Sequence, residues 1–469
     1  MYVYIIKRGI LMDNNTNNRG QWASNIGFIL AAAGSAVGLG NIWKFPYLAG
    51  ANGGAAFVII YLAMVILIGF TIMLGEMSIG RNTHLSAVGA YKKLNKNWGF
   101  VGFIGVVVGF CILSFYSVIG GWVLNYIGKY LVGGISGAEA ASYFTGFISS
   151  TTQPIVWHLI FMAITCVIVL KGVSGGIEKA SKFMMPALFI LLIIVAIRSV
   201  TLEGAAAGIE FFLKPDFSKV NIGTIMAALG QAFFSLSLGM GAIITYGSYL
   251  GKTENLERNA VIIPAIDTAV ALLAGFAVLP AVFAFGFEPG VGPSLMFITL
   301  PSVFDSMPFG QLFGILFFIL IFFAALTSAI SLLEVVVAYV IDNFKVNRKK
   351  ATIMMSIILF AIGIPCSLAN GPVMGDFMIF GYNFFDFMSF LAENVLMPLG
   401  GLLMCIFIGH VWGIDNISEE ITCEGKYKFR SKPFFVVMIK YIAPILIFII
   451  WLNAIGVLPA IMKVFGITL

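Results

Sequence analysis

The chain has 469 residues, 60% of them hydrophobic and only 10% charged, with a mean hydropathy of +1.01 and a formal net charge of +6. A soluble domain carries about 25% charged residues, so the composition excludes an ordinary globular protein and defines a polytopic membrane protein. Five scattered cysteines (Cys111, Cys166, Cys366, Cys405, Cys423) and three dispersed histidines (His84, His158, His410) supply neither a disulfide framework nor a metal-dependent hydrolase site.

Residues 1–11 hold a short apolar run with Lys7 and Arg8, too short to span and without a small-residue cleavage site, so they do not read as a signal peptide. A polar leader, Asp13 to Asn18, follows Met12, which makes Met12 an alternative start. At roughly 20 apolar residues per crossing, eleven spans follow, near 23–48, 54–80, 99–131, 154–171, 178–200, 221–250, 259–286, 309–341, 351–370, 384–411 and 434–461. With the N-terminus inside, all but six of the 27 lysines and arginines fall on the cytoplasmic side, the exceptions being Lys44, Lys129, Arg198, Lys214, Lys219 and Lys463. The positive-inside rule then gives a cytoplasmic N-terminus and an external C-terminus in the plasma (inner) membrane. The basic groups Lys92–Lys96, Lys345–Lys350 and Lys426–Lys432 read as topology signals rather than nucleic-acid patches. No soluble domain fits between the spans; residues 132–153, 201–220 and 287–308 read as external loops that could cap a vestibule.

The first span is interrupted by Ala33-Gly34-Ser35-Ala36-Val37-Gly38-Leu39-Gly40-Asn41. Small residues there permit close helix packing; they also permit open backbone, which in hydrocarbon survives only where protein or a cavity encloses it. The fifth span pairs Gly176 with Pro186, either an ordinary kink or a point of cheap unwinding. The sixth repeats the interruption at Ser235-Leu236-Ser237-Leu238-Gly239-Met240-Gly241, the seventh carries Asp267, and the eighth carries Thr327-Ser328. Broken helices five spans apart are the pattern of inverted-repeat transporters. An intramembrane carboxylate marks a functional site by default, and an oxygen-only donor set suits a hard cation such as sodium. The fold class expected is all-α and polytopic, with 11 transmembrane helices in a 5+5 inverted repeat whose helices 1 and 6 are discontinuous. Its parts are a cytoplasmic segment 1–21, a first repeat 22–200, a second repeat 201–411, and a loop with a peripheral helix 412–469.

Trp22-Ala23-Ser24, then Gly34 through Pro46 (GSAVGLGNIWKFP), then Asn52-Gly53-Gly54 resemble the neurotransmitter:sodium symporter family, in particular its bacterial amino-acid branch with eleven-helix members. The resemblance covers essentially the whole chain. It implies a first sodium site of the Ala36 carbonyl, Asn41, Ser235 and Asp267, completed by the substrate carboxylate. A second would use the Gly34, Val37 and Ala324 carbonyls with the Thr327 and Ser328 hydroxyls. The substrate would rest on Ala36, Gly38, Leu39, Gly40 and the Tyr116 hydroxyl, with walls from Ile112, Phe234, Ser237, Met240, Ser328 and Leu332. An external gate of Lys44 and Asp386 with Tyr116 and Phe234 is implied, Lys44 standing where the family has an arginine. An internal gate of Arg19 and Asp342 with Trp22, Ser248 and Tyr249 is implied, as is unwinding of the fifth helix at Gly176 and Pro186.

Monoamine members of the family carry an acid where this chain has Gly38, so the resemblance implies a substrate with its own carboxylate. Leucine-transporting members carry a Phe where this chain has Met240, and a flexible thioether yields to a larger guest. Sodium-coupled symport of hydrophobic or aromatic L-amino acids, with tyrosine or tryptophan foremost, is the resulting expectation, by alternating access. Two sodium ions and no organic cofactor are expected. Asp267 supplies the charge that chloride gives to relatives with neutral residues there, so chloride is not required, and Tyr61 and Gln231 would be structural. The partners expected are the amino acid and the bilayer, with no nucleic acid; a monomer suffices, a dimer remaining open. A branched-chain or broad neutral amino-acid symporter, or a non-transporting sensor of the same fold, remains the alternative. A channel lacks its continuous polar lining, and an enzyme lacks a nucleophile, base and oxyanion arrangement. Glu76 and Glu334 read as structural acids, and Glu393 has no assigned partner.

Overall fold

The computed structural model describes residues 20–287, 292–458 and 461. Arg19, the two candidate starts and Lys463 lie outside the described residues. The molecule is a helical bundle, and the one sheet among the described residues is a two-residue antiparallel ladder, Met378–Ile379 against Tyr382–Asn383, between two spans.

Thirteen helical segments position the site. They are α1 (Asn25–Ala36), α2 (Gly40–Ala51), α3 (Ala55–Thr83), α4 (Gly99–Leu131), α5 (Gln153–Leu170), α6 (Val173–Val200), α7 (Ile222–Ser235), α8 (Ala242–Gly247), α9 (Leu256–Ala284), α10 (Gly310–Phe344), α11 (Arg348–Leu368), α12 (Phe384–Trp412) and α13 (Lys432–Ala454). Among the described residues nine of these are long and apolar enough to cross a membrane, and α1 with α2 makes a further crossing bent by 52°. The sixth expected span is divided into α7 and the six-residue α8.

Polar caps set the helix starts. The Ser24 hydroxyl accepts the Gly27 N–H at α1, Asn221 and Thr224 form a capping box at α7, and Asn255, Asn347 and Asn383 cap α9, α11 and α12. Between these caps the apolar runs leave helix as the only way to satisfy the backbone in hydrocarbon. Burial then ranks the spans: α4 and α10 are 78% and 72% buried over their apolar windows and pack against each other, whereas α5 and α13 are 33% buried. α4 and α10 are therefore the central pair, and exposed Phe183, Ile190, Ile194 and Ile197 put an apolar face of α6 on the perimeter.

Two sequence expectations are corrected. The connections read as loops contain short helices, Ala140–Ser149, Ala205–Leu213 and Leu295–Ser306, because each holds an apolar run too short to cross but long enough to bury one face. The fifth span begins at Val173, not 178, with a π turn through Glu178.

Candidate functional site: two broken helices around a buried oxygen cluster

α1 ends at Ala36, and Val37 is extended (φ −70, ψ 100). The last four carbonyls of a helix have no intrahelical partner. Here the Ala33 carbonyl takes the Val37 N–H, while the Ser35 carbonyl takes the hydroxyls of Ser237 (2.9 Å) and Ser328 (3.1 Å). The second break is sharper, since Ser237, Gly239 and Gly241 all have positive φ. A serine at φ 54 is strained, and its bond to the Ser35 carbonyl ties the strain to the first break. Gly239 is obligatory twice: its φ is +75, and a Cβ would lie 2.4 Å from the Met397 carbonyl. Its N–H donates to buried Glu76 at 2.8 Å, so Glu76 supports the open backbone, the structural role expected of it.

Between the breaks lies one polar cluster. Asn41 Nδ2 donates to Asp267 Oδ1 (2.7 Å), to the Asp267 carbonyl (3.1 Å) and to Ser235 Oγ (3.0 Å), and Ser235 donates to Asp267 Oδ2 at 2.7 Å. Tyr61 adds its hydroxyl at 3.4 Å from Asp267 Oδ2. Asp267 is fully buried, and every group bonded to it is neutral. A buried carboxylate without a counter-charge is costly, so the cluster favours a small cation. Among the described residues no three His, Cys, Asp or Glu side chains gather as a metal centre; what is present is one carboxylate with amide, hydroxyl and carbonyl oxygens, which fits sodium. Ala36, whose carbonyl was expected in this set, is the last residue of α1.

The second expected set is also brought together. Thr327 Oγ1 lies 3.0 Å from the Ala324 carbonyl, Ser328 Oγ lies 3.4 Å from the Val37 carbonyl, and a Cβ on Gly34 would stand 3.2 Å from both Thr327 Cβ and Met185 Sδ. Met185 precedes Pro186, which places α6 against this set.

Gly38 sits where two side chains converge: a Cβ there would be 2.6 Å from Ser328 Oγ and 2.8 Å from the Tyr116 hydroxyl. The Leu39 N–H donates to that hydroxyl at 3.1 Å. Gly40 is similarly covered by the Phe234 ring, and its carbonyl accepts from Gln231 at 2.8 Å. Ile112 and Tyr116, one turn apart on α4, and Ser328 and Leu332, one turn apart on α10, are buried, as are Ser237 and Met240. Phe234 is half-buried.

At one end of the site Trp22 Nε1 donates to the Tyr246 carbonyl at 2.9 Å, and the indole packs edge-on against Tyr246 and Tyr249. Tyr249 donates to Glu334, which Arg348 also pairs, and Ser248 donates to the Thr245 carbonyl. Asp342 accepts the Ser86 N–H at 2.7 Å; its expected partner Arg19 lies outside the described residues.

At the other end the Lys44–Asp386 pairing is corrected. Lys44 Nζ pairs with Glu393 Oε2 at 2.7 Å and rests 4.4 Å above the Phe234 ring. Glu393 follows Asp386 on α12, within the π segment Phe390–Leu396, and the Phe234 ring holds the lysine beside Glu393. Lys44, Gln231, Phe234, Glu393 and Asn394 line a cavity of about 320 Å³ that also reaches α13. Sequence reasoning left Glu393 without a partner and passed over Glu178, which binds the start of α1; the only signals were an acid within each span.

A membrane-spanning helical bundle with two helices opened at the same level around oxygen donors defines a secondary transporter. The chain belongs to the sodium:neurotransmitter symporter family, whose model matches residues 19–146 and 146–465. The sodium-dependent transporter YhdH of Bacillus subtilis is 46% identical over 447 residues, 93% of this chain and 98% of that protein. The human sodium- and chloride-dependent GABA transporter 2 is 26% identical, over 92% of this chain and 78% of its own length. The crystal structure of MhsT in complex with L-phenylalanine superposes with a TM-score of 0.86 at 47% identity, covering 93% of this chain and 100% of that one. The chain is thus a multi-pass, sodium-dependent transporter and not an enzyme.

Proposed function

We propose that the protein is a sodium-coupled symporter of hydrophobic, chiefly aromatic, L-amino acids in the plasma membrane, with tyrosine and tryptophan among its substrates. The observation that carries this reading is the buried, uncompensated Asp267 beside Asn41 and Ser235 at the junction of two opened helices. One sodium ion binds there with the Ala36 carbonyl, and a second binds at Gly34, Val37, Ala324, Thr327 and Ser328. The amino acid brings the last negative ligand: its carboxylate lies against the Leu39 and Gly40 amides and the Tyr116 hydroxyl and reaches the first sodium. Each ligand then raises the affinity for the other. Gly38 supports a carboxylated substrate, since no acidic side chain fits between Ser328 and Tyr116. Met240 at the pocket wall supports a large side chain, and the phenylalanine held by the similar transporter is consistent with it.

The fixed charge of Asp267 replaces chloride. Alternating access takes place between repeats 22–200 and 201–411, with segment 412–469 peripheral and one monomer sufficient. The N-terminus is cytoplasmic and the C-terminus external, which follows from the lysine and arginine distribution; the Trp22 gate then faces the cytoplasm and the Lys44 gate the exterior. Gly176 and Pro186 let α6 unwind and hydrate the second sodium site through Met185 and Gly34. Equilibrium binding to the purified protein tests the reading. L-Phenylalanine and L-tyrosine bind in sodium and not in potassium, and phenethylamine, which lacks the carboxylate, does not bind in either. Equal binding in potassium, or tight phenethylamine binding, overturns it.

A further inference from the structure

Glu393 lies in the π segment Phe390–Leu396 of α12, two residues before Val395. Pro398 follows the segment; it has no N–H to give and its ring crowds the carbonyl one turn earlier, so the backbone ladder is interrupted there. The Val395 carbonyl takes the indole N–H of Trp451, on α13, at 2.9 Å. A carbonyl oxygen has two lone pairs, and a widened turn leaves room for a donor from outside the helix. Residues two apart on a helix do not face the same way: Glu393 reaches Lys44 on α2 at 2.7 Å, and Val395 meets α13. Ser389, one turn before Glu393, donates to its Oε1 at 3.3 Å. The side chain of Glu393 is thus set by Lys44 and Ser389, and its backbone by Trp451.

The rest of α13 bears on the same place. Ile447, Ile450 and Asn453 line the cavity of about 320 Å³ together with Lys44, Phe234 and Glu393. The Trp451 ring lies 6.3 Å from that of Phe448, which steadies the indole. α13 is only 33% buried over its apolar window, yet it packs against both α12 and α7, the helices that carry Glu393 and Phe234. Away from water an indole N–H needs an acceptor, and a single such bond between two apolar helices fixes their relative register.

We infer that Trp451 is a positioning residue for the Lys44 end of the site: by holding Val395 it fixes the register of the π segment and so keeps Glu393 opposite Lys44. α13, outside the two repeats, then favours the closed state of that gate without touching sodium or substrate. The inference rests on the reading of Lys44 and Glu393 as the external gate.

Sodium-driven uptake of labelled L-phenylalanine by the full-length protein in proteoliposomes, with KM and maximal rate measured separately, tests it in a double-mutant cycle. Trp451→Phe keeps an aromatic ring and removes the N–H. In the wild-type background it is expected to raise KM about fivefold, the scale of one lost hydrogen bond, as the closed population falls, with the maximal rate changed by less than about twofold. In the Glu393→Gln background, where the pair is already broken, the same substitution is expected to leave KM within about twofold of Glu393→Gln alone, while the melting temperature falls equally in both backgrounds. Phe448→Ala, which removes the ring beside the indole, is expected to raise KM by a smaller factor with the same dependence on Glu393, and it decides the matter if Trp451→Phe does not fold. An equal rise of KM in both backgrounds, or a wild-type KM in the folded Trp451 variant, overturns the inference. Absence of sodium-driven uptake by the wild type, or wild-type uptake by Glu393→Gln, instead overturns the reading on which it rests.

Discussion

The ammonium of Lys44 lies 2.7 Å from the carboxylate of Glu393 and 4.4 Å above the ring of Phe234. One side chain thereby joins α2, α7 and α12 at the Lys44 end of the site, and the aromatic ring covering Gly40 is held from above by a cation. The pair is partly exposed, at 32% and 13%, so its Coulomb term is modest; its value lies in holding three helices in one arrangement.

The pair predicts a specific pattern of variants. Glu393→Gln lowers uptake on the order of tenfold, since it leaves the lysine without its charge partner. The exchange Lys44→Glu with Glu393→Lys recovers part of that loss. Asp386→Asn changes uptake less than threefold. Initial rates of labelled amino-acid uptake for the four proteins check this, and a larger loss from Asp386→Asn than from Glu393→Gln contradicts the assignment.

Asp267→Ser removes the fixed negative charge beside Asn41 and Ser235. Transport by this variant is expected to require chloride, while the wild type runs equally well in chloride and gluconate. Uptake in paired anion buffers decides it; loss of wild-type transport in gluconate contradicts the role given to Asp267.

Gly38→Ala places a methyl group 2.6 Å from Ser328 Oγ and 2.8 Å from the Tyr116 hydroxyl. Amino-acid affinity is expected to fall by about a hundredfold or more, because the methyl group and the two hydroxyls it displaces take the space of the substrate carboxylate. The melting temperature in detergent is expected to change little, because the surroundings are two polar side chains rather than backbone. Unaltered binding contradicts the placement of the substrate carboxylate.

Gly239→Ala differs in kind. Its positive φ and the Met397 carbonyl at 2.4 Å leave a methyl group no place, so a loss of about 2 kcal/mol or more in stability is expected. A lowered melting temperature with reduced expression is the readout. Met240→Phe, by contrast, is expected to fold normally and to shift selectivity from tryptophan toward leucine, as competition binding will show.

The site was more legible in the sequence than the contacts that operate it. Glycines and hydroxyls inside apolar spans stand out because hydrocarbon tolerates open backbone only in enclosed places; Gly34 to Asn41, Ser235 to Gly241, Asp267 and Thr327-Ser328 do lie together. The partner of Lys44 was not legible. Asp386 and Glu393 stand on one helix, whose change to a π segment at Phe390 shifts the register between them, and the Phe234 ring seats the lysine at Glu393. Glu178 was hidden for a different reason: an acid followed by Lys179 and Lys182 at the edge of a span reads as a solvated end, and nothing local to it announces the room that Gly27 leaves for its carboxylate. The short helices between spans were missed because crossing length was the criterion, and burial of one face needs much less.

Sodium-gradient-driven uptake into proteoliposomes tests the central claim most directly. With sodium outside and potassium inside, labelled L-tyrosine, L-tryptophan and L-phenylalanine are expected to accumulate above their external concentration, in chloride or gluconate alike, and to leak away when the gradient is collapsed. Equilibration without accumulation, uptake in the absence of sodium, or sodium-dependent binding with no uptake would contradict a coupled symporter.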